Sequence, residues 1–223
     1  RSVKPPRARA DETQIDETDD VGRSLTVEQE QALLQSVKNT DQHHTRSRGA
    51  RSIGTYMLYV LTLRLGLRRG EILGLRWKDI DLDTGVLSIR QQVNHEGQIT
   101  TPKSPKAKRT LPLTDELVTM LREHKLRLGA LGRVYVFPDE TGTHRKPRAL
   151  DKHFERATER ARVTGYTFHD LRATAITRWR EAGVDLEVAA ALAGHATIKV
   201  TGEIYSDATM ERKRAAVNKK KSG

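Results

Sequence analysis

Hydrophobic positions divide the chain into segments with helical and strand-like spacing. Thr26 and Gln29 match a capping box, and the apolar residues that follow predict a helix. Its apolar face consists of Leu33, Leu34 and Val37. Residues 39–50 are polar and basic and predict a loop. The next helix is apolar on several sides, which places it at the centre of the core; its apolar residues are Ile53, Tyr56, Met57, Leu58, Val60, Leu61, Leu63, Leu65 and Leu67.

Between residues 83 and 113 the spacing of apolar residues changes to that of strands. Turns at residues 83–85 and 96–97 separate short apolar runs, which predict a small antiparallel sheet. The hairpin tip between its last two strands is expected to be basic. It would carry Lys103, Lys106, Lys108 and Arg109.

The remainder of the chain predicts mainly helices. Thr114 begins one, and Val134–Phe137 forms a short extended segment after it. Four more helices are expected over residues 150–161, 168–180, 185–194 and around residues 200–205. The predicted fold class is therefore α+β, mostly helical, with a small antiparallel sheet.

Charge and composition narrow the function classes. The 223 residues include no cysteine, which excludes disulfides and thiol nucleophiles. The net charge is +11, but residues 1–50 carry −1 and residues 51–223 carry +12, so an acidic partner is expected to bind the body and tail. Aromatic residues make up 4%, which favours the backbone of duplex nucleic acid over stacked single-strand bases. No apolar run has the length of a membrane span, and we expect no membrane partner and a cytoplasmic location.

Two pairs of charged residues at helical spacing are candidates for binding phosphate. Arg68 and Glu71 lie beside two glycines, so Glu71 could orient the guanidinium toward an anion. Taken alone, the spacing favours an ordinary surface ion pair. His169 and Arg172 share one helical face and could hold two phosphate oxygens or move a proton. A partly buried histidine beside a solvated arginine is the structural alternative.

The last third of the chain supplies a candidate nucleophile. His195 follows a glycine that ends a helix, and Tyr205 lies ten residues later. An ordinary helix end and a packed tyrosine are the structural alternative. Lys103 is placed at a strand end to point inward, with Lys106 as the alternative. We find no metal-ligand spacing and no phosphate-binding glycine loop, and expect neither metal nor cofactor. Arginine, histidine, lysine and tyrosine together suit phosphoryl transfer from a diester, with cations stabilising the transition state and tyrosine forming a covalent link.

These motifs, in this order, resemble those of the tyrosine recombinases, also called the phage integrase family. They are GLRRGE, TPKSPKAKRTLPL, HDLR, AGH and VTGEIYSD, and the resemblance extends over about residues 24–207. It departs from the usual pattern at Ala193, which is smaller than the expected apolar residue, and at Asp207, where a histidine is often found.

The resemblance implies a role for each candidate residue. Arg68 and Arg172 would bind the scissile phosphate, with Glu71 orienting Arg68. His195 would donate to a non-bridging oxygen, and His169 would assist as acid or base. Lys103 would protonate the leaving 5′ oxygen, and Tyr205 would form a 3′-phosphotyrosyl link.

The resemblance also implies an organisation and partners. Residues 1–23 would be an interdomain linker, residues 24–207 the catalytic domain and residues 208–223 a basic tail that docks on a neighbouring protomer or follows the DNA. The chain begins at Arg1 rather than Met, and we expect a core-binding domain to precede it in a longer protein. The partners would be duplex DNA, a homo-tetramer on paired recombination sites and accessory DNA-bending proteins, in the nucleoid of a bacterial or phage-infected cell. The alternatives are a type IB topoisomerase and a non-catalytic DNA-binding module.

Overall fold

The computed structural model describes residues 23–44, 54–102 and 107–195, which contain seven α-helices, two short 3-10 helices and five short strands. The helices are α1 (Val27–His44), α2 (Thr55–Leu65), α3 (Arg69–Leu73), α4 (Asp115–Leu128), α5 (Pro147–Ala161), α6 (Asp170–Glu181) and α7 (Leu186–Ala193). The strands are β1 (Ile80–Asp81), β2 (Val86–Ser88), β3 (Gln92–Val93), β4 (Ile99–Thr100) and β5 (Thr110–Pro112). The α+β class, mostly helical, is thereby confirmed.

Helix α2 is the centre of the core, as its hydrophobic pattern predicts. Nine of its eleven residues are buried, and it packs against α1, α4 and α6. Tyr59 shows how dense this packing is, because its ring stacks on Phe154 and meets Phe168 edge to face. The helix therefore joins the N-terminal and C-terminal parts of the described chain in one core. Ile53, which the pattern assigns to the same helix, lies outside the described residues.

Helix α1 begins as predicted but ends later. Thr26 and Gln29 form the capping box, with N···O distances of 2.9 and 3.2 Å in the two directions. The expected loop over residues 39–50 is wrong at its start, because the helix continues to His44. Asp41 explains the extension: its buried carboxylate accepts a hydrogen bond from the backbone N–H of Tyr56, in the first turn of α2, at 2.9 Å. The polar end of α1 thus satisfies a backbone donor that the next helix leaves without an intrahelical partner.

The strands form two antiparallel sheets rather than one. The three-stranded sheet has the order β1-β2-β5, with Leu87 opposite both Ile80 and Leu111, and the second sheet pairs β3 with β4. The β3–β4 sheet packs against α3 through Gly70, where an added Cβ would lie 2.5 Å from the carbonyl oxygen of Val93. The segment between β4 and β5 therefore connects two sheets and is not the predicted hairpin tip.

The N-terminal strap, residues Arg23–Leu25, is tied directly to α6. The backbone N–H of Arg23 donates to Asp170 at 2.7 Å, and that of Leu25 donates to the hydroxyl of Thr174 at 2.9 Å. The Leu25 carbonyl accepts from Arg178 at 2.8 Å. All three contacts are to polar side chains of one helix, so they fix the position of the strap along α6.

The described parts of the chain contain no helix that is both long and apolar enough to span a membrane.

Candidate active site

Glu71 is a buried carboxylate at the centre of an arginine cluster. Its two oxygens accept hydrogen bonds from Nη1 and Nη2 of Arg109 at 2.8 and 2.9 Å, a bidentate pair. Oε2 also accepts from the backbone N–H of Arg68 at 2.9 Å, which caps the start of α3. The guanidinium of Arg68 lies at 3.5 Å from Oε1. The expected Arg68–Glu71 pair is therefore present, but the shorter contacts of the carboxylate go to Arg109.

The two consecutive arginines at the start of α3 point in different directions. Arg69 turns away toward α5, where its Nη1 lies 2.5 Å from a carboxylate oxygen of Asp151. Arg68 turns toward Glu71 and keeps 25% of its side chain exposed, whereas the Arg109 side chain is 6% exposed. Arg68 is therefore the arginine of this cluster with the larger surface open to an anion.

The electrostatics of the cluster keep Glu71 ionised. Burial raises the pKa of Glu71, but the charge and hydrogen bonds of Arg109, together with Arg68 and Arg172, outweigh this and lower the pKa to about 2. The carboxylate therefore carries its charge at neutral pH. Three arginines act on this one carboxylate, and such a concentration of guanidinium groups favours an oxyanion beside the cluster.

Arg172 is completely buried and holds two helix ends together. Its Nη1 donates to the carbonyl of Gly66, the residue that ends α2, at 2.6 Å, and its Nη2 donates to the carbonyl of Ala193, the last residue of α7, at 2.7 Å. A cation is favourable at both positions because helix C termini carry partial negative charge. The alternative of a solvated arginine does not hold, because this side chain is 0% exposed. A phosphate can reach this guanidinium only if the groups that cover it move.

The C-terminal end of α7 brings His195 to the same place. Asp185 caps the helix at its start, as predicted, and Gly194 ends it. His195 follows, 4% exposed, with its backbone N–H bonded to the carbonyl of Ala190 at 3.0 Å. The carbonyl of Leu192, three residues earlier, accepts from Nε of Arg109 at 2.7 Å. Arg109 and Arg172 therefore both bind the helix end that presents His195.

His169 lies at the other end of the motif that contains Arg172. It is half-buried and precedes α6, and its carbonyl accepts the backbone N–H of Arg172 at 3.0 Å. Asp170, between them, is buried and accepts hydrogen bonds from the backbone and hydroxyl of Thr167 at 2.6 and 2.9 Å. This carboxylate fixes the turn that presents His169.

The structure thus brings together Arg68, Glu71 and Arg172, with His195 at the end of the helix that two of the arginines bind. Lys103, Lys106 and Tyr205 lie outside the described residues, as do the tail at 208–223 and the helix expected around residues 200–205. Among residues 23–44, 54–102 and 107–195, no cluster of three or more histidine, aspartate or glutamate side chains could hold a metal ion.

Arg109 is the residue of this cluster that sequence reasoning missed. It was counted with the basic side chains of the expected hairpin tip. A signal was present in the alternation through β5: Ala107, Leu111 and Leu113 are buried, while Lys108 and Thr110 are exposed. Residue 109 falls on the inward-facing side of that alternation, so its charge required a buried partner.

The arrangement offers an oxyanion one accessible guanidinium, that of Arg68, which is 25% exposed. Arg172 and His195 are buried at the end of α7, so they can contact the same anion only after the groups that cover them move. Donors fixed on helix ends stabilise negative charge that develops on phosphate oxygens.

Curated proteins with similar sequences are recombinases and integrases. A tyrosine recombinase XerC-like protein of Caldanaerobacter subterraneus is 33% identical over 184 residues, covering 72% of this chain and 47% of that protein. A putative prophage phiRv2 integrase of Mycobacterium tuberculosis is 31% identical over 149 residues, covering 64% of this chain and 40% of that protein. The chain therefore spans about half the length of the curated relatives it matches.

Solved structures with the same fold carry related names. The Tn1549 transposon integrase in complex with transposon right end DNA has a TM-score of 0.68 at 24% identity, covering 88% of this chain and 65% of that one. The XerA recombinase has a TM-score of 0.64 at 20% identity, and the match covers 91% of this chain and 62% of that one. These likenesses show that the fold is that of tyrosine recombinase catalytic domains. A sequence model described as the phage integrase family matches residues 23–212, and the chain belongs to this family.

Proposed function

We propose that the chain is the catalytic part of a site-specific DNA recombinase that cleaves and rejoins duplex DNA without a metal. The observation that carries this proposal is the arginine cluster around Glu71, in which Arg109 and Arg172 also bind the helix end that presents His195. Family membership and the recombinase and integrase names of its relatives support the same activity.

In the proposed reaction the scissile phosphate lies against Arg68, Arg172 and His195. The phenol oxygen of Tyr205 attacks phosphorus, His169 receives its proton, and the bond from phosphorus to the 5′ oxygen breaks. Lys103 gives a proton to that leaving oxygen, so charge balances at both ends of the transfer. The arginines and His195 stabilise the negative charge that gathers on the non-bridging oxygens. The product is a 3′-phosphotyrosyl link, from which a second 5′ hydroxyl can release the enzyme.

Duplex DNA is the proposed substrate and partner. Solved relatives of the same fold include integrases in complex with DNA, and the net charge of residues 51–223 is +12. Binding through phosphates should weaken as salt rises, by about 0.9 log units per neutralised phosphate for each log unit of salt.

The test is covalent capture on DNA selected by the chain itself. Duplexes are selected from a random-sequence pool by binding, nicked near the centre so that cleavage is trapped, and incubated with chelator before a denaturing gel. We expect a protein–DNA adduct that Tyr205→Phe abolishes. Tyr135→Phe, a half-buried tyrosine packed against His144, serves as the matched control and should retain the adduct. Binding without any adduct would indicate a non-catalytic binding module instead. Relaxation of supercoiled plasmid regardless of sequence would indicate a topoisomerase.

Assembly as a tetramer on paired sites is the second part of the proposal. An apolar cavity of about 330 Å³ lies between α1, α2, β5, α4, α6 and α7, and we propose that residues 208–223 of a neighbouring copy occupy it. Its lining includes Leu34, Val60, Met120, Trp179 and Leu192. Deleting residues 209–223 should reduce cooperative DNA binding while leaving binding of the first protomer intact. Unchanged cooperativity would refute docking by the tail.

A further inference from the structure

We infer that Arg109 is a positioning residue of the reaction: it holds Arg68 and His195 in a fixed relation to each other. This inference rests on the proposed function for its chemistry. Among the described residues Arg109 bonds to Glu71, Leu192 and Ala107, and it acts through the groups that it binds.

The contacts of Arg109 extend to three separate parts of the chain. Two of its nitrogens bind Glu71 at 2.8 and 2.9 Å, its Nε binds the carbonyl of Leu192 at 2.7 Å, and Nη1 also reaches the carbonyl of Ala107 at 3.2 Å. Both edges of the guanidinium are thus occupied by protein acceptors. A planar group bound on two edges fixes orientation as well as distance.

Each of these partners leads to a residue of the proposed phosphate site. Glu71 accepts the backbone N–H of Arg68 at 2.9 Å and so determines where α3 begins. Leu192 lies in the last turn of α7, three residues before His195. Arg109 itself precedes β5 and follows the segment that contains Lys103. A single side chain therefore connects the start of α3, the end of α7 and the residues that lead into β5.

The charge of Arg109 has a second consequence for Arg68. Because Arg109 supplies the bidentate partner of Glu71, Arg68 meets this carboxylate at 3.5 Å and keeps a quarter of its side chain exposed. If Arg109 is lost, the buried carboxylate must draw Arg68 closer or take up a proton. Either response removes the guanidinium from the position that the phosphate requires.

Neutralising both Glu71 and Arg109 distinguishes a role in positioning catalytic groups from a role in stabilising the fold. Arg109→Gln leaves Glu71 buried without its main partner and is expected to destabilise the protein. The double variant Glu71→Gln/Arg109→Gln contains no buried charge at these two positions and should regain much of the thermal stability. Its single-turnover cleavage rate on the nicked, selected duplex should remain lower by about 10²-fold, because misplacement of catalytic groups by about 1 Å has effects of this size. Glu71→Gln, Arg109→Gln and the double variant should reduce the cleavage rate by similar factors, because residues that act as a unit have non-additive effects.

Arg109→Lys keeps the positive charge but removes the planar guanidinium that binds Glu71 through two parallel hydrogen bonds. We expect the affinity for DNA to change less than threefold and the cleavage rate to fall by at least tenfold. Lys108→Gln is the matched control, since it removes one exposed positive charge at the adjacent position and should leave the cleavage rate unchanged.

The pH profile supplies a readout that a purely structural role would not move. Arg68, Arg109 and Arg172 are the charged groups that act on Glu71. They lie at the N-cap of α3, directly before β5 and in α6, respectively. In Arg109→Lys the pKa of Glu71 should rise, so the acidic limb of the cleavage profile should become steeper than in the wild-type protein, because protonation of Glu71 adds to that of the base His169. Wild-type cleavage rates and pH profiles in both Arg109 variants would overturn the inference.

A measurement without DNA keeps the two proposals distinguishable. The imidazole resonances of His195, followed by NMR in the free protein, should shift in Arg109→Lys and stay in place in Lys108→Gln. If the wild-type protein forms no adduct, the proposed function fails and this spectrum decides alone. Unchanged His195 resonances would then refute the positioning role.

Discussion

Gly66 offers a sharp test of how the end of α2 supports the arginine network. The residue ends the helix with a φ of 61°, in the left-handed region, and its carbonyl accepts from Arg172 at 2.6 Å. A Cβ added there would lie 2.9 Å from Cη2 of Trp179. Gly66→Ala therefore introduces both backbone strain and a close contact with a ring.

The two effects have separate magnitudes. A left-handed conformation costs a residue with a Cβ about 1–2 kcal/mol. The Trp179 ring is held by the hydrogen bond from its Nε1 to the carbonyl of Arg64 at 3.2 Å, so it must move as a whole. Overpacking of this kind costs about 1–3 kcal/mol. We expect Gly66→Ala to lower the free energy of unfolding by about 2–5 kcal/mol in total.

Gly97→Ala isolates the backbone component. Gly97 has a φ of 84°, yet an added Cβ would meet no heavy atom of the described residues within 4 Å. Urea unfolding of both variants should show a loss of about 1–2 kcal/mol for Gly97→Ala. The excess loss in Gly66→Ala should be about 1–3 kcal/mol, or about 2–12 °C in Tm for a domain of this size.

Gly66→Ala should also affect activity. Moving the Gly66 carbonyl shifts an acceptor of Arg172, so DNA cleavage by Gly66→Ala should fall at temperatures where the protein remains folded. Gly97→Ala should cleave at the wild-type rate. Equal loss of stability in the two variants would refute the steric argument. A normal cleavage rate in folded Gly66→Ala would refute the link to Arg172.

Two further predictions concern the strap and a buried histidine. Thr174→Val removes the acceptor for the backbone N–H of Leu25. It should lower the free energy of unfolding by about 1–3 kcal/mol and speed hydrogen exchange at the Leu25 amide. Thr174→Ser keeps the hydroxyl and should show neither effect. Burial lowers the pKa of His124 to about 4, although its hydrogen bond with Val136 raises it. As pH falls, the unfolded protein therefore binds a proton at this histidine before the folded protein does. Its contribution to stability is complete above pH 6.5 and should be lost as pH falls, by about 2 kcal/mol between pH 7 and pH 5, a slope that His124→Gln should lack.

Local patterns predicted most elements because their causes are local. The capping box of α1, the Asp185 cap of α7 and the apolar positions of α2 depend on residues within a few turns of each other. The end of α1 was misplaced for the opposite reason. Its last polar turns are supported by the contact of Asp41 with the first turn of α2, which polarity along the chain does not reveal.

The sheets illustrate the same limit. Apolar alternation predicted the strands near their observed positions, but alternation does not specify which strand pairs with which. Packing of β3 on Gly70 draws one hairpin onto α3, and β5 then pairs with β2 instead. Two sheets result, and the basic segment between β4 and β5 becomes a connection between them.

For the candidate site, the sequence by itself determined the residue types, their order and the positive charge, because these are properties of the chain and its short motifs. The tertiary structure decided how those charges are paired. Glu71 and Arg109 are 38 residues apart, and Arg172 and Gly66 are 106 apart. Burial makes the pairing selective, since a carboxylate removed from water must be matched by the donors that the fold brings to it. The fold places Arg109 against Glu71, so the guanidinium of Arg68 keeps an exposed surface for the proposed phosphate.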